Sequence, residues 1–226
     1  MRTLSRRLLL VPGFCLAIAA APDPTREMVP PTAPRMAKPA GRVLFMDDFQ
    51  GGNLERWEPD RPDVWSLRRG MLRADLPDVK QEHSFLFAGS PEWRNVALDV
   101  DVCAMRGVDK GAALRVTHNS GIGADLRGPG YQDVLLMHRQ WPLGKARVIN
   151  GNAMWHHLRI EASGSRYRVY VNGALMIDHG DDKHPASAGR IALAAYTGGI
   201  GECTVFFDNV VVTALDSTAI GASASR

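Results

Sequence analysis

The side chains best suited to chemistry lie on two runs of alternating residues. In residues 112–116 the apolar positions are predicted to face a core, which turns Arg115 to the opposite side. In residues 96–103 the aliphatic positions alternate with Asp99 and Asp101. An arginine fork and carboxylates on one outer surface can take the paired hydroxyls of a sugar. We therefore predict Arg115, Asp99 and Asp101 as ligand-binding residues.

Four more polar or aromatic residues are predicted at strand ends or in loops that would border the same groove: His118, Tyr131, His138 and Trp141. Aromatic faces stack on the C–H faces of a pyranose, so this border also suits a carbohydrate. The alternative is that Arg115 and the aspartates form a surface ion pair and that the rings pack in loops or in the core. The residues alone leave both interpretations open.

Several catalytic patterns are missing from the sequence. Glycoside hydrolysis needs two carboxyl groups about 5 to 10 Å apart, and the Glu-x-Asp-x-x-Glu string of laminarinase-like jelly rolls is not present. The nearest string, residues 58–63, holds two prolines that a central strand does not accommodate. Asp99 and Asp101 could form a dyad or bind a cation, although most such pairs are solvated sheet surface. The histidines lack zinc spacing, and the sequence has neither a Ser-His-Asp elbow nor a phosphate loop.

The elements that would position these residues are strands. Residues 155–178 alternate polar and apolar positions on both sides of Asn172-Gly173, a strong signal for a type I′ hairpin turn. Residues 96–103 alternate in the same way. The glycine-containing stretch 121–130 and the stretch 141–152 are predicted as loops. The fold class is therefore all-β, an antiparallel sandwich of two sheets.

The hairpin also carries a resemblance to a known superfamily. Trp-His-x-Leu-Arg-Ile followed by a turn and Val-Tyr-Val-Asn-Gly, residues 155–173, resembles the signature hairpin of concanavalin A-like jelly rolls. This superfamily includes laminin-G-type modules, legume-lectin-like domains and the bacterial 3-keto-disaccharide hydrolase family. Further matches follow in order, at Asp47-Asp48-Phe49 and Gly189-Arg190-Ile191 among others. The resemblance spans roughly residues 43–215 and implies a jelly roll with a sugar-processing groove.

The resemblance has two further implications. Concanavalin A-like domains often hold a structural Ca²⁺ between the first and last strands, and Asp48 and Asp208 match the positions that supply its oxygen ligands. An aspartate in the last strand could instead cap a turn. The strands that carry Cys103 and Cys203 are near neighbours in such jelly rolls, so a disulfide and two separate thiols both remain open.

The chain ends point to an exported protein. Arg2, Arg6 and Arg7 precede a short apolar run, and small residues follow, so we expect a signal peptide at 1–21 of the secretory or twin-arginine type. Residues 22–41 are rich in proline and are predicted as a linker, 42–215 as the domain and 216–226 as a flexible tail. We expect a secreted or periplasmic protein without a stable membrane span after cleavage. The net charge of +3 gives no reason to expect nucleic acid as a partner.

Three functions are compatible with this sequence. The first is a carbohydrate-binding or carbohydrate-processing jelly roll. The second, which follows from the resemblance, is a hydrolase or lyase of a glycoside or 3-keto-glycoside. The third is a laminin-G-like interaction domain without catalysis. Whether the protein is an enzyme is left open, and the only cofactor suggested is the structural Ca²⁺.

Overall fold

A computed structural model describes residues 28–118, 120–183 and 187–215 of the chain. The predicted signal peptide and tail lie outside the described residues. Within these ranges fifteen strands form two antiparallel sheets, as the alternation predicts. In chain order the strands are β1 (Val43–Asp47), β2 (Trp57–Pro59), β3 (Trp65–Arg68), β4 (Met71–Leu76), β5 (His83–Ala88), β6 (Val96–Gly107), β7 (Asp109–Val116), β8 (Ile122–Arg127), β9 (Asp133–His138), β10 (Trp141–Arg147), β11 (Met154–Ser163), β12 (Arg166–Val171), β13 (Ala174–Gly180), β14 (Arg190–Tyr196) and β15 (Cys203–Ala214).

The two sheets share the strands almost equally. The first sheet has the order β13-β12-β11-β6-β15-β4-β3, and β1 pairs with the second half of β15. The second sheet has the order β10-β9-β8-β7-β14-β5-β2. The inner faces pack against each other through aliphatic side chains such as Leu98 and Leu158 of the first sheet and Leu126 and Leu136 of the second, all fully buried. Chain-adjacent and long-range strand pairs are interleaved in this order, which is the jelly-roll connection pattern.

The central hairpins form as predicted. β11 pairs with β12 and β12 with β13, and Asn172 and Gly173 at the second turn have φ of 51° and 80°. Positive φ at both positions is what a type I′ turn requires. On β6 the aliphatic residues face the core and Asp99 and Asp101 face outward, also as predicted.

Two stretches predicted as loops contain strands. Residues 121–130 hold β8, and residues 141–152 hold β10. In β8 the residues Ile122, Ala124 and Leu126 alternate with Gly123 and Asp125, so the period of a half-buried strand is present despite the glycines. Glycine content was the wrong signal here, because a glycine within a strand also marks a close approach of other groups.

The predicted position of Arg115 on an outer surface is wrong. Arg115 is fully buried between the sheets, with φ of 52°. Ala113 pairs with Ala192 and Val116 pairs with Arg190, so Leu114 and Arg115 together stand opposite the single residue between those two. This β-bulge interrupts the two-residue period and lets consecutive side chains point inward.

Arg115 connects the two sheets through hydrogen bonds. Its Nε donates to the Arg94 carbonyl at 2.7 Å, and its Nη1 donates to the Gly164 carbonyl at 2.8 Å and to the Tyr167 hydroxyl at 3.4 Å. Tyr167 lies in β12, across the core from β7. Gly189 makes the bulge possible, because a Cβ there would lie 2.3 Å from the Arg115 carbonyl carbon.

Cys103 and Cys203, the two cysteines of the described residues, are free thiols on opposite sides of the first sheet. Cys203 belongs to the central core, whereas Cys103 packs with Phe206 on the outer face. Cys103 pairs with Phe206, three residues from Cys203, which is about 10 Å along the strand and beyond the Cα separation of a disulfide. Of the two open alternatives, the structure has the separate thiols.

Part of the segment predicted as a linker contacts the first sheet. Trp155 Nε1 donates to the Pro31 carbonyl at 2.8 Å, and Asn209 Nδ2 donates to the Pro34 carbonyl at 2.7 Å. Ala33 packs against the outer apolar cluster. The outer face of the first sheet is therefore partly covered by the chain itself.

None of the residues in the described ranges forms a helix that is long and apolar enough to cross a membrane.

We predict that Arg115→Met lowers the free energy of unfolding by about 3 kcal/mol, because it removes the hydrogen bonds that the buried guanidinium donates to the first sheet and its turns. Chemical denaturation of wild type and variant measures the difference. Arg190→Met, which removes an arginine with an exposed ion pair from the same region, is the control and should cost well under about 1 kcal/mol. If the two variants lost the same free energy of unfolding, the role of Arg115 in connecting the two sheets would be contradicted.

Candidate ligand-binding groove on the second sheet

The outer face of the second sheet carries a groove that follows from the strand registers. Residues directly opposite each other on neighbouring strands point to the same side of a sheet. The middle strands β14, β7 and β8 present only small residues at five outward positions. These floor residues are Ala192, Ala194, Gly111, Ala113 and Gly123. Larger side chains on both sides of this floor make it a depression.

One wall of the groove is aromatic and the other is aliphatic. On β5, Phe85 and Phe87 pair with Ala194 and Ala192, and their rings stack at 6.0 Å with 30° between planes. On β9, Leu135 and Met137 form the opposite wall, and both are half-buried. A flat apolar wall of stacked rings is a surface on which the C–H face of a sugar can lie.

One end of the groove is lined by charged and polar residues. A single row of paired residues crosses the sheet there: His83, Tyr196, Asp109, Arg127, Asp133 and Arg147. Arg127 donates two hydrogen bonds to Asp133, of 2.8 and 2.7 Å. The guanidinium carbon of Arg127 lies 4.2 Å from the centroid of the Tyr131 ring. This pairing fixes the arginine fork beside the floor.

Asp125 faces the same side of β8 as the floor residue Gly123. It lies opposite Gly111, where a Cβ would approach Asp125 Oδ1 to 2.7 Å and the Ala124 carbonyl to 2.1 Å. Glycine at 111 therefore makes room for the carboxyl group over the floor. Burial raises the pKa of Asp125 to about 7, and the nearby Asp109 carboxylate adds to the rise.

Asp109 is the second carboxyl group of this region. It lies diagonally across the β7–β8 pair from Asp125, a placement that separates Cβ atoms by about 7 Å. Burial raises its pKa as well, and its Oδ1 is buried without a hydrogen-bond partner among the described residues. Two carboxyl groups whose environments oppose ionisation can share one proton near neutral pH, so one accepts a proton while the other donates. The groove thus has the parts for general acid–base chemistry.

The structure separates the residues that were predicted to share one site. Asp99 and Asp101 lie on the outer face of the first sheet, not on the second. Asp101 accepts from His157 Nδ1 at 2.8 Å and from Asn209 at 2.7 Å, and Asp99 binds His157 Nε2 at 3.1 Å and Arg159. These aspartates form a side-chain network with His157, Arg159 and Asn209. The prediction that they share a surface with Arg115 is wrong, and they do not form the alternative ion pair with Arg115 either.

The four residues predicted at the border are divided between the two ends of the second sheet. Tyr131 contacts Arg127 at the charged end and is 57% exposed. His138 and Trp141 pair with each other at the opposite end, where His138 Nε2 lies 2.8 Å from the Ser120 hydroxyl. His118 is exposed in the loop at that same end. Of the predicted set, only Tyr131 borders the carboxyl pair.

The predicted Ca²⁺ ligands receive limited support. Asp208 is buried, and burial together with the Asp101, Asp48 and Asp47 carboxylates raises its pKa to about 6. Asp48 Oδ1 accepts from the Gln50 amide at 3.2 Å. Across the described residues, no three His, Cys, Asp or Glu side chains are grouped so that they could hold a metal ion. The Ca²⁺ site stays a prediction that would need backbone or water oxygens.

The groove residues could have been found by the same alternation that placed the core. In β8 the inward residues are Ile122, Ala124 and Leu126, so Asp125 and Arg127 must face outward. Taking residues 121–130 as a loop concealed this pattern. The partner Asp109 gives no such signal, because only the strand register brings it beside Asp125.

Solved structures with the same fold include three from bacilli. The carbohydrate-binding module CBM66 from Bacillus subtilis has a TM-score of 0.60 and 17% identity, covering 72% of this chain and 98% of that one. The β-glucanase of Bacillus licheniformis has a TM-score of 0.60 and 13% identity, covering 78% and 100%. A Bacillus subtilis protein with a galectin-like fold has a TM-score of 0.60 and 9% identity, covering 77% and 96%. These similarities show the fold, a jelly roll of two antiparallel sheets.

The family is defined more narrowly by the sequence itself. Residues 43–213 match the model of the 3-keto-α-glucoside-1,2-lyase-like domain, and the chain belongs to that family. This confirms the resemblance seen in the hairpin. A search of curated proteins gave no match.

We predict that His157→Gln destabilises the protein at pH 6 and much less at pH 10. Hydrogen bonds to Asp101 and then Asp99 raise the pKa of His157 to about 9, above an unfolded value of about 6.5. The stabilisation by the protonated ring is therefore complete below about pH 6.5 and is lost as the pH rises through about 9. Melting temperatures from pH 6 to 10 test this, with His179→Gln as the control. A pH-independent difference would contradict it.

Proposed function

We propose that the groove of the second sheet binds a glycoside with a ketone at C3 and breaks its glycosidic bond by elimination across C1 and C2. The observation that carries the proposal is the Asp125–Asp109 pair over a floor of small residues. The family description supports the substrate class and the reaction type. The aromatic wall supports binding of the sugar ring.

The proposed reaction needs one proton acceptor and one proton donor. A C3 ketone makes the hydrogen on C2 acidic, so a carboxylate can remove it. The electrons of the C2–H bond then form the C1–C2 double bond, and the C1–O bond breaks. The departing oxygen takes a proton from a carboxylic acid. The step consumes no water, and the carboxyl pair ends with the same single proton that it held before.

Asp109 is the proton acceptor in this proposal, and Asp125 is the donor. A pKa of about 7 lets Asp125 hold the single proton of the pair up to neutral pH, and the ionised Asp109 contributes to that rise. Asp109 lies at the charged end of the groove, and Asp125 stands over the floor, where it can protonate the departing oxygen. The Arg127–Asp133 pair holds the charged end in place.

We predict that Asp125→Asn lowers the rate of cleavage of a 3-keto-glucoside about a thousandfold and leaves binding of the glucoside largely intact. Since the charged form of Asp125 is disfavoured by burial, the variant should be as stable as wild type or more stable. In wild type kcat/KM should fall as the pH increases through about 7, because Asp125 then loses the proton that the departing oxygen needs. Release of the aglycone measures turnover, and calorimetry measures binding.

Two control variants make this test specific. Asp63→Asn changes a largely exposed carboxylate elsewhere and should leave turnover unchanged. Ala113→Leu fills the floor and should remove both binding and turnover, because the ring can no longer enter. Full turnover by Asp125→Asn would overturn the assignment of the acid.

A second candidate is carbohydrate binding without catalysis, which the stacked Phe85 and Phe87 rings favour. In that case wild type binds sugars that have no ketone, and Phe87→Ala weakens this binding, while 3-keto-glucosides are bound but not cleaved. The presence or absence of an aglycone product separates the two functions.

We also propose that the protein acts outside the cytoplasm. The support is the charged and apolar pattern of residues 1–21. A fusion of these residues to a reporter should be exported and cleaved. Replacing Arg6 and Arg7 by lysine should block export only if the twin-arginine route is used, and retention of the unaltered fusion inside the cell would contradict the proposal.

A further inference from the structure

The side chains of the groove follow a fixed order across the second sheet. One row of directly paired residues runs from β5 to β10, and all of its members point outward because paired residues share a face. The members of this row, in spatial order, are Phe85, Ala194, Gly111, Asp125, Leu135 and Lys145. The row therefore has an aromatic ring at one end, a carboxyl group in the middle and a cation at the other end.

The β10 border of the groove carries two cations, Lys145 and Arg147. They alternate with Ala146, which packs against the core, so both side chains lie on the groove side, where they are exposed. Within the described part of the chain neither of them has an ion-pair partner. Asp133 stands opposite Arg147, but it already accepts two hydrogen bonds from Arg127. Both positive charges are thus free to meet a ligand.

The opposite border of the groove is different, because its charges are paired. Arg190 Nη1 donates to Glu58 at 2.6 Å, and the Arg190 guanidinium carbon lies 5.1 Å from the centroid of the Phe87 ring. Glu58 pairs with Phe87 and so stands at the β2 edge of the same face. One border is neutral and the other is positive, which gives a bound molecule with one acidic end a single favourable orientation.

The position of the proton donor divides the groove into two parts. In the elimination proposed above, on which this inference rests, Asp125 protonates the departing oxygen. The sugar ring lies on the side of Asp109 and the phenylalanine wall, so the departing group extends the other way, over Leu135 towards β10. Neighbouring strands are about 4.8 Å apart, which places Lys145 about 10 Å from Asp125 across the sheet. The departing group meets an apolar side chain first and two cations next.

We propose that the departing group of the substrate has an apolar body that contacts Leu135 and a carboxylate that binds Lys145 and Arg147. An arginine fork takes a carboxylate through paired hydrogen bonds, and a lysine adds a point charge beside it. A phenolic acid joined to the sugar through its phenol oxygen has this chemistry. Lys145 and Arg147 lie at the far end of the departing group, so they determine specificity and transfer no proton.

The test compares two 3-keto-glucosides that differ only in the charge of the departing group, one of 4-hydroxybenzoate and one of 4-hydroxybenzamide. At low ionic strength we expect wild type to have a kcat/KM about tenfold higher for the benzoate, mainly through a lower KM. Added salt should reduce this ratio, because it screens charges at an exposed border. The corresponding glucosides without the ketone cannot undergo the elimination, and calorimetry should show the same preference in their Kd.

A double variant and a matched control locate the preference. Lys145→Gln combined with Arg147→Gln should lower kcat/KM for the benzoate about tenfold and that for the benzamide much less, so that the ratio falls to about one. Arg35→Gln combined with Arg42→Gln removes two exposed cations before β1 and should keep the wild-type ratio. Circular dichroism melting checks that both double variants are folded.

The outcomes separate this inference from the proposed reaction. If wild type binds the benzoate no more tightly than the benzamide, or if the folded Lys145→Gln, Arg147→Gln variant keeps the preference, the assignment of the cationic border is overturned, whether or not the 3-keto-glucosides are cleaved. Preferential binding of the benzoate that depends on these two cations, without cleavage of either 3-keto-glucoside, would support the border and overturn the elimination.

Discussion

The sandwich depends on the buried guanidinium of Arg115. A charged group between two sheets is costly unless its donors are matched, and here the acceptors come from the Arg94 and Gly164 carbonyls and the Tyr167 hydroxyl. These partners belong to the first sheet and its turns, while Arg115 belongs to the second. These hydrogen bonds fix the position of one sheet relative to the other. It also requires a bulge in β7, and Gly189 accommodates that bulge.

The two outer faces differ because of what covers them. The first sheet carries part of the proline-rich segment and a network around His157, so its polar residues are occupied with one another. The second sheet has small residues in its three middle strands, and these leave Asp125 standing over a depression. A carboxyl group in that position is poorly solvated, and its raised pKa follows from this. The chemistry proposed for the groove is thus a consequence of small side chains as much as of acidic ones.

Local patterns were enough to predict most of the fold. The turn at Asn172-Gly173 and the alternation in β6 depend on neighbours in the chain, and both formed as expected. The position of Arg115 could not be read in this way, because a bulge reverses the face of every residue after it. The Asp109–Asp125 pair depends on the register between β7 and β8, which a single sequence does not specify. Of the two carboxyl groups, only Asp125 could have been placed on the outer face from the alternation of residues in its own strand.

The separation of Cys103 from Cys203 has a consequence for maturation. Burial raises the pKa of Cys103 to about 11 and that of Cys203 to about 12, so both remain protonated at neutral pH. A protonated, inaccessible sulfur reacts slowly with oxidants and with mixed disulfides. Once folded, such a chain would tolerate an oxidising compartment without thiol-protecting enzymes. While the chain is still unfolded it has no such protection, so rapid pairing of β6 with β15 would guard it against incorrect crosslinks.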